Sequence, residues 1–308
     1  MDELISQDHI ISTLTKLIES NKLPHLLFYG PPGTGKTSTI LACARKVNGP
    51  NFQNMILELN ASDARGIDNV REEIKDFAST KKIFDKGMKL IILDEADSMT
   101  NDAQAALRRV IEKFTSNTRF CIICNHVNKI VPAIQSRCTK YRFGPLTTEQ
   151  IRKRLDTIIK AEKVEATEDG IAALIKLASG DMRKVINVLQ STHMAYGKID
   201  EKNVYLCTGN PLPKDIESVM NWLFNTEHKE AFNNIHSLSV KKGLALQDIL
   251  RDIHAKLMRI KILEADVLIQ LYIGLADIEY ALSIGASEKL QTSALVALFQ
   301  IAKEKIAF

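Results

Sequence analysis

The chain has few of the residues that break regular structure: 14 glycines and 8 prolines in 308 residues. That scarcity excludes collagen-like and low-complexity architectures. It has no apolar run of membrane-spanning length and no basic leader followed by an apolar core, so neither a helical anchor nor a secretory signal is expected. Its five cysteines, Cys43, Cys121, Cys124, Cys138 and Cys207, are an odd number. Without a secretory signal, that count argues against a disulfide framework. A soluble intracellular protein, cytosolic or nuclear, is the expectation. Charge of one sign is also scarce, with 41 basic residues against 37 acidic ones and a net charge of +4. That balance does not mark a nucleic-acid binder, yet it leaves room for a local basic stripe. Cys121 and Cys124 are spaced C-x-x-C inside the apolar run Phe120 to Cys124. They read as strand residues, because no second Cys/His pair stands at zinc spacing; metal or redox use is the minor alternative.

What is present is 45% hydrophobic and 25% charged residues, enough for a large core and for about two or three domains. The organising stretch is Gly30-Pro31-Pro32-Gly33-Thr34-Gly35-Lys36-Thr37-Ser38. It follows the apolar run Leu26–Tyr29 and opens onto a helical pattern, with the spacing G-x-x-x-x-G-K-[ST]. The glycines let consecutive backbone N–H groups wrap a phosphate, at the positive end of the helix that follows. Lys36 then reaches the β- and γ-phosphates, and the Thr37 hydroxyl sits on Mg²⁺. The apolar run Lys89–Leu93 ends in Asp94-Glu95-Ala96-Asp97. Beside a phosphate loop, Asp94 is a candidate Mg²⁺ ligand and Glu95 a candidate base for the attacking water.

Periodicity predicts helix over 9–20, strand at 26–29, helix from the loop to about Val47, strand Met55–Leu59, and helix over 66–79 capped by Ser62 or Asp63. It continues with strand Lys89–Leu93, helix Asp102–Phe114, strand Arg119–Cys124, a short helix near 130–135 and strand Thr139–Phe143. Strands alternating with helices to about residue 145 describe a doubly wound α/β domain. Beyond Gly144-Pro145 no strand is expected. Helices are predicted near 148–163, 168–178, 181–194, 201–206, 214–224, 227–239, 244–260, 264–285 and 287–305. Asn210-Pro211-Leu212-Pro213 reads as a linker. The expected domains are 1–145, 146–208 and 209–308.

Taken together, Gly30–Thr37, Leu93–Asp97, Glu58–Asp63, Ser136-Arg137-Cys138 and Gly180-Asp181-Met182-Arg183 resemble the AAA+ sliding-clamp loaders. More narrowly they resemble small subunits of replication factor C; Leu107–Glu112 and Arg119–Asn125 are similar to the subunit 3/5 type. The likeness runs from about residue 4 to the C-terminus. It implies a P-loop parallel-sheet domain, a small helical lid and an all-helical collar that holds five subunits in a ring. It implies an ATP- and Mg²⁺-dependent ATPase, nuclear, that opens the sliding clamp PCNA and loads it onto primer–template DNA in replication and repair. Asn125 is similar to the sensor that orients the lytic water or the γ-phosphate, and Arg183 to the second sensor in the same subunit. Arg137 is similar to an arginine finger that completes a neighbouring subunit's site, a task that suits guanidinium geometry. Asn60 is similar to the polar residue that holds Glu95 back until DNA arrives; a helix-capping role competes with that reading.

The same resemblance places Arg65, Arg71, Lys75, Arg108 and Arg109 on or beside helices that face DNA, where they would touch phosphates without reading sequence. Ile83 and Phe84 are the candidate clamp contacts, in a loop with basic neighbours. Trp222, His236 and His254 are expected in the core. The family usually carries a preceding segment of Trp-Val-Glu-Lys-Tyr-Arg-Pro character that helps enclose the adenine. This sequence starts Met1-Asp2-Glu3-Leu4, so either it is truncated or another element closes the base pocket. The competing functional readings are a nucleotide-locked scaffold subunit with little turnover and another AAA+ DNA-remodelling motor.

Overall fold

The computed structural model describes residues 7–20, 22–61, 67–79, 88–116, 118–260 and 264–306. The apolar runs of the N-terminal half become strands β1 (Leu26–Tyr29), β3 (Lys89–Asp94) and β4 (Thr118–Cys124), and the more polar stretches Ile56–Asn60 and Thr139–Arg142 become β2 and β5. They form one parallel sheet in the order β2-β3-β4-β1-β5. Alternation along the strands divides the core between two faces, which is why the central strands β1, β3 and β4 are buried along most of their length. Leu27, Ile91, Leu93, Phe120 and Ile122 pack with Ile74 and Ala78 of α3 (Ile67–Ser79) and with Leu107, Val110 and Ile111 of α4 (Asn101–Phe114). Leu26, Phe28, Leu90, Ile92 and Ile123 pack on the other face, with Ile10 and Leu14 of α1 (Asp8–Glu19) and Ile40, Cys43 and Ala44 of α2 (Lys36–Asn48).

Because every strand runs the same way, the C-terminal ends of β1, β3 and β4 share one edge, the edge at which open α/β sheets place ligands. The residues following β1, ending β3 and following β4 are the phosphate loop, Asp94-Glu95 and Asn125. At the opposite end His25 fastens β1 to its neighbours. Its Nδ1 accepts the Phe120 N–H (3.1 Å) and its Nε2 lies 3.3 Å from the Thr115 hydroxyl. Burial first, and then the Arg119 charge, push its pKa down from 6.5 to about 4, so the ring stays neutral. Cys121 and Cys124 are buried on β4. Burial raises both thiols, Cys124 to about 12, which keeps them protonated.

Helix α5 (Pro132–Gln135) lies between β4 and β5, and three helices follow the sheet: α6 (Thr148–Glu162), α7 (Glu168–Ala178) and α8 (Met182–Tyr196). Helix α6 opens with a capping box, Thr147 accepting from the Gln150 N–H while the Gln150 side chain accepts from the Thr147 N–H. The chain divides into two units, residues 1–166 with 171–190, and residues 167–170 with 191–308. The second unit adds α9 (Glu201–Thr208), α10 (Pro213–Asn225), α11 (His228–Lys242), α12 (Leu246–Leu257), α13 (Ala265–Ser283) and α14 (Glu288–Ile306). Its core is built from one face of each of the last five, including Ile216, Leu223, Ile235, Ile253, Leu271 and Phe299.

Two expectations are corrected. Glu165–Ala166 and Lys198–Ile199 form two-residue strands where none was expected; segments that short carry no alternation for a sequence pattern to show. Trp222 is half-buried against the helical core, whereas His236 and His254 are exposed and rest their rings on Phe232 and Tyr272. A helical periodicity spaced closely around an apolar stripe leaves its flanks at the boundary, and a stacked imidazole can cover that boundary without entering the core.

Candidate nucleotide site

Two glycines of the phosphate loop are required by what surrounds them. Gly30 has φ +145°, and a Cβ there would lie 2.0 Å from the Phe143 carbonyl oxygen. Gly33 has φ +67°, and a Cβ there would lie 1.6 Å from Asp181 Oδ1. The loop passes into α2 at Lys36, whose side chain is buried, only 7% exposed. Its ammonium donates to the carbonyls of Gly30 and Pro31, both at 2.8 Å, and to Asn125 Oδ1 at 3.1 Å. Burial lowers its pKa and the Arg183 charge adds to that, with Asp94 opposing.

Thr37 Oγ1 donates to Asp94 Oδ2 at 2.8 Å, while Asp94 Oδ1 accepts the Glu95 N–H at 2.9 Å. Glu95 stands in the left-handed region, with φ 54° and ψ 36°. That is an uncommon backbone for a residue with a side chain, held here by the Ser98 hydroxyl, which donates to the Glu95 carbonyl (2.7 Å). The turn is tied to the end of β4 by the His126 N–H, which donates to Asp97 Oδ2 (3.1 Å). Asn60 ends β2 in register with Asp94, and the Ala61 N–H donates to the Asp94 carbonyl at 2.8 Å.

These groups line one cleft of about 1010 Å³: Pro32, Gly33, Thr34, Gly35, Lys36, Thr37 and Ser38 of the loop, with Asp94, Glu95, Asn125 and Arg183. Gly30 and Pro31 lie beneath it as the carbonyl acceptors of Lys36. The sequence reading missed the rest of the wall: Leu41, Ala42, Arg45 and Lys46 along α2, Leu146 just before α6, Gln150 and Arg154 on α6, and Met182 and Ile186 beside Arg183. The i, i+4 spacing of Gln150 and Arg154 puts them on one face of α6, but nothing in the sequence said what that face meets.

Arg137 is not part of this cleft. Its Nη1 donates to the Ala133 carbonyl (2.6 Å), and its Nη2 makes an ion pair with Glu112. Glu112 also accepts from Arg108 Nε at 3.1 Å. Those bonds, Arg108 first, hold the Glu112 carboxyl below its ordinary pKa. Arg108 and Arg109 are exposed on α4, and Lys75 is half-buried on α3. Arg71 lies in α3 with its side chain outside the described residues; Ser62, Asp63, Arg65, Ile83 and Phe84 lie outside them altogether.

Comparison with known proteins matches residues 26–146 to the AAA family, "ATPase family associated with various cellular activities", and residues 211–298 to the replication factor C C-terminal domain. Replication factor C subunit 5 of Homo sapiens is 56% identical over 99% of this chain and 90% of its own length. The chain belongs to the replication factor C family of AAA ATPases. Replication factor C subunit 3 of Schizosaccharomyces pombe is 54% identical over 96% of the chain and 86% of its own length. Subunit 3 of Saccharomyces cerevisiae is 47% identical over 99% and 91%. The Thermotoga maritima RuvB Holliday junction branch migration motor superposes with a TM-score of 0.53 at 16% identity, covering 80% of this chain and 84% of its own. At that identity the likeness shows the AAA+ fold alone. The residues that line the cleft all belong to the first unit.

Proposed function

We propose that the chain is an ATP-hydrolysing small subunit of a heteropentameric clamp loader, working in the nucleus, that opens PCNA and loads it onto primer–template DNA. The observation that carries this reading is the split of its charged groups. Lys36, Thr37, Asp94, Glu95, Asn125 and Arg183 meet in one cleft, while Arg137 is held outside it. A hydroxyl and a carboxylate within 2.8 Å of each other are hard oxygen donors that suit Mg²⁺. When bound, that ion neutralises charge developing on the transferred phosphoryl group.

The chain's own residues then take distinct parts. The backbone N–H groups of Gly33 to Thr37 hold the phosphates, Lys36 reaches the β- and γ-oxygens, and Ser38 closes the cradle. Thr37 and Asp94 position the ion. Glu95 accepts the proton of the attacking water, which Asn125 orients. Arg183 contacts the γ-phosphate from the lid. Arg137 reaches the nucleotide of a neighbouring subunit, so hydrolysis depends on assembly. In the same reading the chain has three parts, 1–145, 146–208 and 209–308, and the last joins the collar. Apolar side chains left exposed along α13, Ile269, Ile273 and Tyr280, suit that packing. Arg65, Arg71, Lys75, Arg108 and Arg109 meet DNA phosphates, and Ile83 and Phe84 meet the clamp.

Clamp loading by a reconstituted complex is the test. Glu95→Gln in this subunit should leave ATP binding intact and lower both DNA-stimulated turnover and loading. Unchanged total turnover would favour the scaffold reading.

A further inference from the structure

The start of α8 is pinned between two other segments of the same unit. On one side the Met182 N–H donates to the Gly33 carbonyl of the phosphate loop (3.2 Å). On the other the Leu146 N–H donates to the Gly180 carbonyl (3.2 Å). Gly180 has φ +90°, and a Cβ there would lie 2.8 Å from the Pro145 side chain. Between these contacts Asp181 caps the helix. Its Oδ1 accepts the N–H of Arg183 at 2.9 Å and of Lys184 at 3.2 Å, which satisfies two of the donors a helix N-terminus leaves open. The same carboxylate fills the space over Gly33, where a side chain would overlap it at 1.6 Å.

One half-buried carboxylate thus touches the phosphate loop and fixes the backbone of the residue that lines the cleft two positions later. We propose that Asp181 is a positioning residue: it ties the first turn of α8 to the phosphate loop and so sets Arg183 for the terminal phosphate. The inference rests on the nucleotide reading above. Arg183 takes its direction from the cap, and any displacement of Gly33 passes to the lid through Met182 and Asp181. The missing side chain at Gly33 is the space that this carboxylate occupies.

The test is titration of the full chain with MgATP and with MgADP for wild type, Asp181→Ala, Asp181→Asn, Arg183→Ala, the Asp181→Ala/Arg183→Ala double variant and Lys36→Ala, with melting temperatures alongside. Asp181→Ala should weaken ATP binding about fivefold, the fold-change equivalent of the roughly 1 kcal/mol a lost N-cap costs, and ADP binding by under about twofold. Asp181→Asn, whose amide oxygen caps as well, should bind ATP as wild type does. In the Arg183→Ala background the Asp181 change should add nothing, because its effect passes through Arg183. Equal losses for ATP and ADP, additive losses, an Asn variant as weak as the Ala variant, or an Ala variant like wild type would each overturn the positioning role. If Lys36→Ala weakens binding while Asp181→Ala does not, the positioning role alone falls; if neither Lys36→Ala nor Arg183→Ala affects binding, the nucleotide reading falls with it.

Discussion

Lys36 is the residue on which most of the site's geometry converges. Three donors of one buried ammonium meet two loop carbonyls and Asn125. Replacing it with Ala removes the cation and leaves acceptors facing inward, so ATP affinity measured by equilibrium titration should drop by at least about tenfold. Glu95 is the residue at which the proposed site separates binding from chemistry. It is exposed, at the cleft wall, and shares no hydrogen bond with Lys36. Glu95→Gln should keep nucleotide affinity and lower turnover about 10²–10⁴-fold, the usual contribution of a positioned base. His25 gives a residue-scale prediction unconnected with the site. Its folded pKa of about 4 lies below the ordinary 6.5, so between those values the unfolded chain takes up a proton that the folded chain refuses. Stability should therefore fall as pH drops from about 6.5 to about 4, by up to roughly 1.4 kcal/mol per pH unit. Melting temperatures across that window should show a shallower slope for His25→Gln than for wild type.

At the scale of elements, the sheet and its loop were legible because their signals are local. The runs Leu26–Tyr29 and Lys89–Leu93 have no polar interruptions, and each is followed directly by candidate site residues. Helix α4 was expected from Asp102 and begins at Asn101, with Thr100 capping through its hydroxyl. What stayed hidden depends on contacts between distant segments. Arg154 and Gln150 belong to the cleft because α6 lies across it, and no spacing within α6 states that. The exposure of His236 and His254 depends on which neighbour covers the helix flank. Gly30 is a case between the two: its glycine was legible as a phosphate-loop position, but the reason it tolerates no side chain is the Phe143 carbonyl 113 residues away in sequence. Gly30→Ala should destabilise the first unit by about 1–3 kcal/mol, since backbone oxygen cannot move aside cheaply and φ is positive. Chemical denaturation read through the melting of the sheet would check it; a change under about 0.5 kcal/mol would mean that the loop relaxes.

For the whole molecule, the fold gathers the groups proposed to act in cis, Lys36, Thr37, Asp94, Glu95, Asn125 and Arg183, in one cleft and holds Arg137 elsewhere, on Ala133 and Glu112. An arginine whose proposed work lies in another subunit makes activity a property of the assembly. The central claim is tested most directly by ATP turnover of the purified chain alone and of the assembled complex, each with wild-type Arg137 and with Arg137→Ala. The account predicts little turnover by the chain alone, strong turnover on assembly, and a loss of about 10³-fold or more at the neighbouring site for Arg137→Ala, with ATP binding by this chain retained. Turnover by the isolated chain equal to that of the complex, or unchanged in the Arg137 variant, would contradict it.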